Sequence, residues 1–269
     1  MRRLLAVIGG DVSASLSPLI HGAAAQALGL DLAYIPVNAP TPGDFEGALS
    51  ALRTLGAIGC NVTIPYKALA LERCARSSTT AQEIGAVNTI SFASEGWLQG
   101  DNTDGPGLLR LLEHLPPGTL NRVQILGSGG AARAAAWALA RAGAGSISVT
   151  ARRGAPAVAT LARGQAMGLS RIADATLVVS ALPGDHTLAR TALDDWVDVR
   201  GRPYILDLAY ADLSRGSPLV HLARAQGLEA QDGRALLAEQ GALALSLWTG
   251  GEVARIRQVM RAALHLPEP

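Results

Sequence analysis

The chain has 269 residues, 49% of them apolar and 4% aromatic, with 23 basic against 22 acidic residues and a formal charge of +1. That balance builds no field for nucleic acid or an anionic membrane surface, and the apolar fraction suffices for one large or two ordinary domains with aliphatic cores. Two cysteines, Cys60 and Cys74, are too few for a disulfide framework or a zinc site, so no metal is expected.

The N-terminal Met1-Arg2-Arg3 and the apolar run from Leu4 to Gly10 are too short for a signal peptide or a membrane span. They read as a first strand, and a soluble cytoplasmic protein is expected. Further strand-like runs stand at 33–37, 59–63, 87–92, 123–126, 146–150, 176–180, 204–208 and near 228–230, after a first one at 4–8. Helical periodicity fits between them at 18–28, 43–55, 66–76, 105–115, 131–142, 156–167 and 218–226. The segment 234–264 reads as two successive helices, interrupted at Gly241 and at Gly250-Gly251. Alternation of this kind predicts βαβ units and parallel sheet. Pro116-Pro117-Gly118 is the clearest linker signal, ahead of a second half that opens on a glycine-rich turn.

Four polar clusters punctuate the first half. Ser13-Ala14-Ser15-Leu16-Ser17-Pro18 follows the first strand, and its hydroxyls either cap a helix or bind a polyol. In Asn61-Val62-Thr63-Ile64-Pro65-Tyr66-Lys67 a β-prone run, in which Cys60 reads as a small buried hydrophobe, breaks at a proline suited to the first turn of a helix. Asn61, Thr63 and Lys67 then gather at a strand end leading into a helix, where ligands bind in open α/β sheets. A lysine beside a positive helix end is disfavoured, so Lys67 is either a solvated surface residue or one with a purpose. Gly85-Ala86-Val87-Asn88-Thr89 places an amide at a strand start, and Asp101-Asn102-Thr103-Asp104-Gly105 offers Asp104 as a helix N-cap or as a functional carboxylate. Together they hold hydroxyls, amides, one lysine and one carboxylate, which suits a small hydroxylated acid.

The second half opens with Val123-Gln124-Ile125-Leu126 running into Gly127-Ser128-Gly129-Gly130-Ala131-Ala132 and an alanine-rich helix. This is the dinucleotide fingerprint in its proper context, with strand before it and helix after. The first glycine makes the turn, the second lets a pyrophosphate approach, and the helix end supplies amide donors. After the next strand, Ala151-Arg152-Arg153 offers two guanidinium groups where NAD-selective sites carry an acid. The arginines either bind a 2′-phosphate, favouring NADP, or form a solvated loop pair.

Taken in order, Ser15-Leu16-Ser17-Pro18, the 61–67 segment, 85–89, 100–105 and 127–131 resemble the motifs of the shikimate dehydrogenase family. The match continues through Asp207-Leu208-Ala209-Tyr210, Ser217-Pro218-Leu219 and Asp232-Gly233 to Gln240. The resemblance implies an α/β protein of two domains: an N-terminal α/β substrate domain and a Rossmann-type dinucleotide-binding domain, with a C-terminal helix returning to the first. The substrate domain would comprise 1–104 and 241–269, and the dinucleotide domain 105–240. It implies reduction of 3-dehydroshikimate to shikimate with NADPH, for aromatic amino-acid biosynthesis. Lys67 and Asp104 match the catalytic pair. Ser15, Ser17, Thr63, Lys67, Asn88, Asp104, Tyr210 and Gln240 match substrate-binding positions. Gly127, Ser128, Gly129, Gly130, Ala131, Arg152, Leu208 and Gly233 match cofactor contacts, and Arg153 stands in for a second family arginine. A monomer or homodimer is expected, without nucleic acid or membrane partners.

The departures lie on the cofactor side. Ala151-Arg152-Arg153 replaces the common Asn-Arg-Thr, and Pro156 occupies the place of a further arginine. Ser180-Ala181-Leu182-Pro183 replaces Asn-Ala-Thr-Pro, Leu208 stands where methionine is frequent, and the short 167–175 segment predicts that one strand of the dinucleotide domain is reduced or missing. The rival readings are a quinate or quinate/shikimate dehydrogenase using NAD, against which the Ser17 hydroxyl speaks because quinate enzymes tend to carry threonine there, and a non-catalytic nucleotide-binding relative.

Overall fold

The computed structural model describes residues 3–93, 96–166, 174–182, 202–213 and 216–267. It divides into two compact units, Met1–Gly107 with Leu237–Pro269, and Leu108–Leu236.

The first unit contains strands β1 (Arg3–Gly9), β2 (Leu32–Asn38), β3 (Gly59–Val62), β4 (Arg76–Ser77), β5 (Thr89–Phe92) and β6 (Leu98–Asp101), in the spatial order β2-β1-β3-β5-β6-β4. Strand β1 runs parallel to β2 and β3, whereas β5 is antiparallel to both β3 and β6. The sheet is therefore mixed, not parallel throughout as the alternation predicted. The reason is local: only a short link joins β5 to β6, closed where the Ala93 N–H donates to the Trp97 carbonyl at 3.1 Å, and a short link can join only antiparallel neighbours.

Helices α1 (Ser17–Leu28), α2 (Pro42–Thr54), α3 (Lys67–Arg73) and α4 (Thr79–Ile84) lie between these strands. Thr41 and Asp44 form a capping box on α2, whose Phe45, Leu49 and Leu52 pack on Ile8, Cys60, Val62 and Ile90 of the sheet. Helix α5 (Asp104–Leu112) leaves the unit, and α9 (Arg234–Thr249) and α10 (Val253–Ala263) complete it. The predicted interruption at Gly241 does not occur, because the helix breaks only after Thr249. Gly241 instead admits close packing: a β-carbon there would lie 2.9 Å from Ile20 Cδ1 and 3.2 Å from Met260 Sδ. At Gly59 a β-carbon would meet Trp248 Nε1 at 2.2 Å, and that indole donates to the Ile90 carbonyl at 3.1 Å.

The second unit holds β7 (Arg122–Leu126), β8 (Ser146–Thr150), β9 (Gln165–Ala166), β10 (Leu177–Ser180), β11 (Tyr204–Asp207) and β12 (Ala230–Gln231). Their spatial order is β12-β11-β10-β7-β8-β9, and every neighbouring pair is parallel. Counted within the unit this is the doubly wound 3-2-1-4-5-6 arrangement, with α6 (Gly130–Arg141), α7 (Ala155–Leu161) and α8 (Pro218–Ala225) as described crossovers. Strand β9 is two residues long. Residues 167–173 of the segment expected to be short, and Pro183, lie outside the described residues. Pro116-Pro117-Gly118 is a turn between α5 and β7 inside this unit, the Thr119 N–H donating to the Pro116 carbonyl at 3.2 Å, so it does not mark the division.

Candidate active site

Strand order reverses at β1, with β2 on one side and β3 on the other, and the serine cluster and the 61–67 segment leave the C-terminal ends of β1 and β3. The two loops are tied together. The Thr63 N–H donates to the Ile8 carbonyl at 2.9 Å and the Gly10 N–H to the Ile64 carbonyl at 2.9 Å. Gly9 makes the approach feasible, since a β-carbon there would sit 2.4 Å from Thr63 Cγ2. Pro65 does not occupy the first helical turn. The Ile64–Pro65 bond is cis, and α3 begins only at Lys67.

Lys67 Nζ donates to Asp104 Oδ2 at 2.6 Å, with side-chain exposures of 14% and 11%. An ammonium at the first position of a helix opposes the dipole, and the carboxylate opposite offsets it with a charge-assisted hydrogen bond. Asp104 is not needed as a cap: the Asn102 side-chain oxygen accepts the Gly105 N–H at 3.1 Å, and the Thr103 carbonyl accepts the Gly107 N–H at 2.9 Å. The Val87 N–H donates to the Lys67 carbonyl at 2.8 Å, fixing the helix start against the loop before Asn88.

Asn88 is buried in a polar cluster. Its Oδ1 accepts the Thr103 N–H at 2.7 Å and the Thr89 hydroxyl at 3.0 Å, while its Nδ2 faces Thr103 Oγ1 at 3.0 Å and Gln240 Oε1 at 3.4 Å. Gln240 on α9 is itself anchored by donation to the Leu237 carbonyl at 3.1 Å. Ser15 Oγ accepts the Ser17 N–H at 3.2 Å, so this hydroxyl does serve the start of α1. Ser17 is buried and Thr63 half-buried. The structure thus joins Lys67 to Asp104, Asn88 to Gln240 and Ser15 to Ser17 in the first unit. Tyr210 lies in the second unit, half-buried after β11. Residue patterns missed Thr89 and Thr103 as members of this network, and Tyr34, whose hydroxyl donates to Asn61 Oδ1 at 2.7 Å while Asn61 Nδ2 donates to the Asn88 carbonyl at 3.1 Å. Thr89 and Thr103 stood inside quoted motifs, but Tyr34 has no local signal, because a tyrosine in a strand is ordinary.

In the second unit the glycine-rich turn sits at the other topological reversal, between β7 and its neighbours β8 and β10. Gly127 has φ +118° and lies against the Ala181 carbonyl, 2.9 Å from where a β-carbon would be. Among the described residues Gly129 has no neighbouring heavy atom within 4 Å of that position, and it opens α6 without a side-chain cap. Ser128 packs on Gly154, whose β-carbon would meet Ser128 Cβ at 3.2 Å, so the loop carrying exposed Arg152 and Arg153 lies beside the turn of Gly130 and Ala131. A pyrophosphate on the open Gly129 side, with guanidinium groups next to it, fits a dinucleotide. Gly233 serves by spacing: its β-carbon would fall 2.2 Å from the Leu208 carbonyl oxygen, and its N–H donates to the Ala209 carbonyl at 3.0 Å. The Leu208–Tyr210 turn is further held by Asp207, whose Oδ1 accepts the Ala209 N–H at 3.3 Å.

Burial also tunes groups away from this chemistry. Full burial lowers the His21 pKa to about 4, against the opposing effect of its bond to Ser17. Burial raises the Cys60 thiol far above its ordinary value and Cys74 to about 12, so both are inert hydrophobes. Asp101 is raised by burial, partly offset by a hydrogen bond with Ser78. Among the described residues no group of His, Cys, Asp and Glu is arranged to hold a metal, and no helix is long and apolar enough to cross a membrane.

A doubly wound unit with an open glycine turn, together with an α/β unit holding a partly buried Lys–Asp pair, defines a Rossmann-type dinucleotide-binding α/β protein. Residues 7–90 match the model of the shikimate dehydrogenase substrate binding domain. A shikimate dehydrogenase (NADP(+)) from Moorella thermoacetica is 38% identical, over 97% of this chain and 93% of its own. Among solved structures, shikimate 5-dehydrogenase of Thermus thermophilus in complex with NADP(H) and shikimate aligns with a TM-score of 0.78 and 34% identity, covering 97% of this chain and 99% of that one. Quinate dehydrogenase from Corynebacterium glutamicum in complex with NAD aligns with a TM-score of 0.79 at 28% identity, covering 97% and 99%. The chain belongs to the shikimate dehydrogenase family.

Proposed function

We propose that this protein is an NADP-dependent shikimate dehydrogenase, reducing 3-dehydroshikimate to shikimate in the route to aromatic amino acids. The observation that carries this reading is the Lys67–Asp104 pair at 2.6 Å, set among serine, threonine and amide groups that suit a hydroxylated acid. The names of the relatives point the same way. Residues 1–104 with 241–269 form the proposed substrate domain and 105–240 the dinucleotide domain, a partition supported by the division at Gly107 and Leu237. The protein is proposed to act in the cytoplasm, as a monomer or homodimer.

NADPH, when bound, supplies the hydride. In the proposed roles, Gly127 to Ala131 seat the pyrophosphate, Arg152 and Arg153 take the 2′-phosphate, and Leu208 and Gly233 complete the cofactor contacts. Ser15, Ser17, Thr63, Asn88, Tyr210 and Gln240 bind substrate. Charge builds on the ketone oxygen during reduction, and the Lys67 ammonium stabilises it and gives the proton. In the oxidation direction Lys67 accepts the proton of the substrate hydroxyl. Asp104 orients Lys67 and holds a substrate hydroxyl.

One observation favours a second reading, a quinate or quinate/shikimate enzyme using NAD: Ala151 and Pro156 stand where the family's NADP signature has other residues. A non-catalytic nucleotide-binding relative would have no use for the Lys67–Asp104 pair. Absorbance at 340 nm, with shikimate or quinate against NADP+ or NAD+, separates the three. Turnover with shikimate and NADP+ is expected to dominate. Preference for quinate and NAD+ selects the second reading, and silence in every combination leaves only binding.

A further inference from the structure

The polar network beside Lys67 and Asp104 runs on into two aromatic residues of the first unit that have no assigned part. His21 on α1 and Tyr34 on β2 stack with ring centroids 4.0 Å apart and planes at 16°. His21 Nδ1 lies 2.9 Å from the Ser17 carbonyl oxygen, which only accepts, so Nδ1 carries the proton and the ring is the neutral Nδ1–H tautomer. Its Nε2 is buried and has no hydrogen-bond partner among the described residues. The Tyr34 hydroxyl donates to Asn61 Oδ1 at 2.7 Å. This fixes the Asn61 amide, because Nδ2 then faces the Asn88 carbonyl at 3.1 Å and Thr89 Oγ1 at 3.1 Å. Thr89 donates to Asn88 Oδ1 at 3.0 Å, and the same oxygen accepts the N–H of Thr103, the residue before Asp104, at 2.7 Å.

We propose that His21 and Tyr34 are positioning residues, the stacked pair holding the Ser17 turn on one side and, through Asn61, the Asn88 amide and the Thr103–Asp104 segment on the other. The proposal rests on the reading that Ser17, Asn88 and Asp104 face the substrate. A purely space-filling role needs neither polar group: phenylalanine fills the tyrosine volume, and a buried imidazole with an unpartnered nitrogen is a costly way to fill a core. Without the Tyr34 hydroxyl, Asn61 Oδ1 loses its donor, and the amide stays anchored at its Nδ2 end by the Asn88 carbonyl and Thr89 Oγ1. Held at one end, the amide pivots more freely, which loosens the contact of Thr89 with Asn88 Oδ1 and with it the bond from Thr103 to the same oxygen.

The test uses Tyr34→Phe in the full chain. Expected are a KM for shikimate about tenfold higher, the equivalent of one hydrogen bond of about 1.4 kcal/mol, an unchanged KM for NADP+, a kcat within about twofold, and exchange of the Thr103 amide proton about tenfold faster. His21→Gln, which keeps a donor for the Ser17 carbonyl, is expected to retain a lower KM than His21→Leu. Unchanged Thr103 exchange overturns the inference, as does a parallel rise of both KM values with a matching fall in Tm, which is general structural damage. A wild-type protein inactive with shikimate sinks the proposed function instead, and the exchange measurement then decides this inference alone.

Discussion

Lys67 is a residue whose meaning depends on a single partner. Seven residues of α3 begin with it, and nothing in that helix explains a cation at the first position. Asp104, distant in sequence but 2.6 Å away in space, does. If Lys67 is the positioned acid, Lys67→Ala is expected to lower kcat by about 10² to 10⁴-fold, the usual contribution of such a group. Less than a tenfold loss in a folded variant would count against the role. His21 gives a second prediction at this scale. Its folded pKa is about 4 against an ordinary 6.5, so between these values the unfolded chain binds a proton that the native protein does not. Stability therefore falls as pH drops from 6.5 towards 4, by at most about 3 kcal/mol from this group, and levels off below. Urea unfolding across that window should show a shallower pH slope in His21→Gln than in the wild type, and identical slopes would refute the assignment.

Among elements, the strand runs read from the sequence include the most buried strands and also the half-exposed β2. β1, β10 and β11 are mostly apolar and buried, and β7 and β8 bury Val123, Ile125, Leu126, Ile147 and Val149 among polar residues. β4, β6 and β9 were not legible: Arg76–Ser77, Leu98–Asp101 and Gln165–Ala166 have no apolar pattern and exist as strands only through their partners. The glycine turn illustrates how one motif divides its labour. Gly127→Ala places a β-carbon 2.9 Å from the Ala181 carbonyl at φ +118°, which is expected to lower Tm, with overpacking of this kind costing about 1–3 kcal/mol. Gly129→Ala meets no atom within 4 Å, so Tm should hold while the KM for NADP+ rises at least tenfold. Thermal melts paired with cofactor titrations check both, and a destabilised but cofactor-competent Gly129→Ala would reverse the assignment.

At the scale of the molecule, the second sheet repeats the 3-2-1-4-5-6 order and the first is a mixed sheet with its own reversal point. The proposed cofactor choice belongs to this level, because the arginine-bearing loop after β8 meets the glycine turn where Gly154 packs on Ser128. Arg152→Ala combined with Arg153→Ala is expected to raise the KM for NADP+ by tenfold or more and leave that for NAD+ within about twofold. Equal effects on both cofactors would show that the pair does not read the 2′-phosphate. The sequence by itself determined the α/β class, the nucleotide turn and the polar clusters at strand ends, because buried strands, glycine turns and caps leave local signatures in spacing and composition. Only the tertiary structure decided that Asp104 faces Lys67, that Asn102 does the capping, that Pro65 precedes the helix, and that His21 stacks on Tyr34. Those facts depend on which strands become neighbours, and pairing between residues far apart in the chain is written in no local pattern.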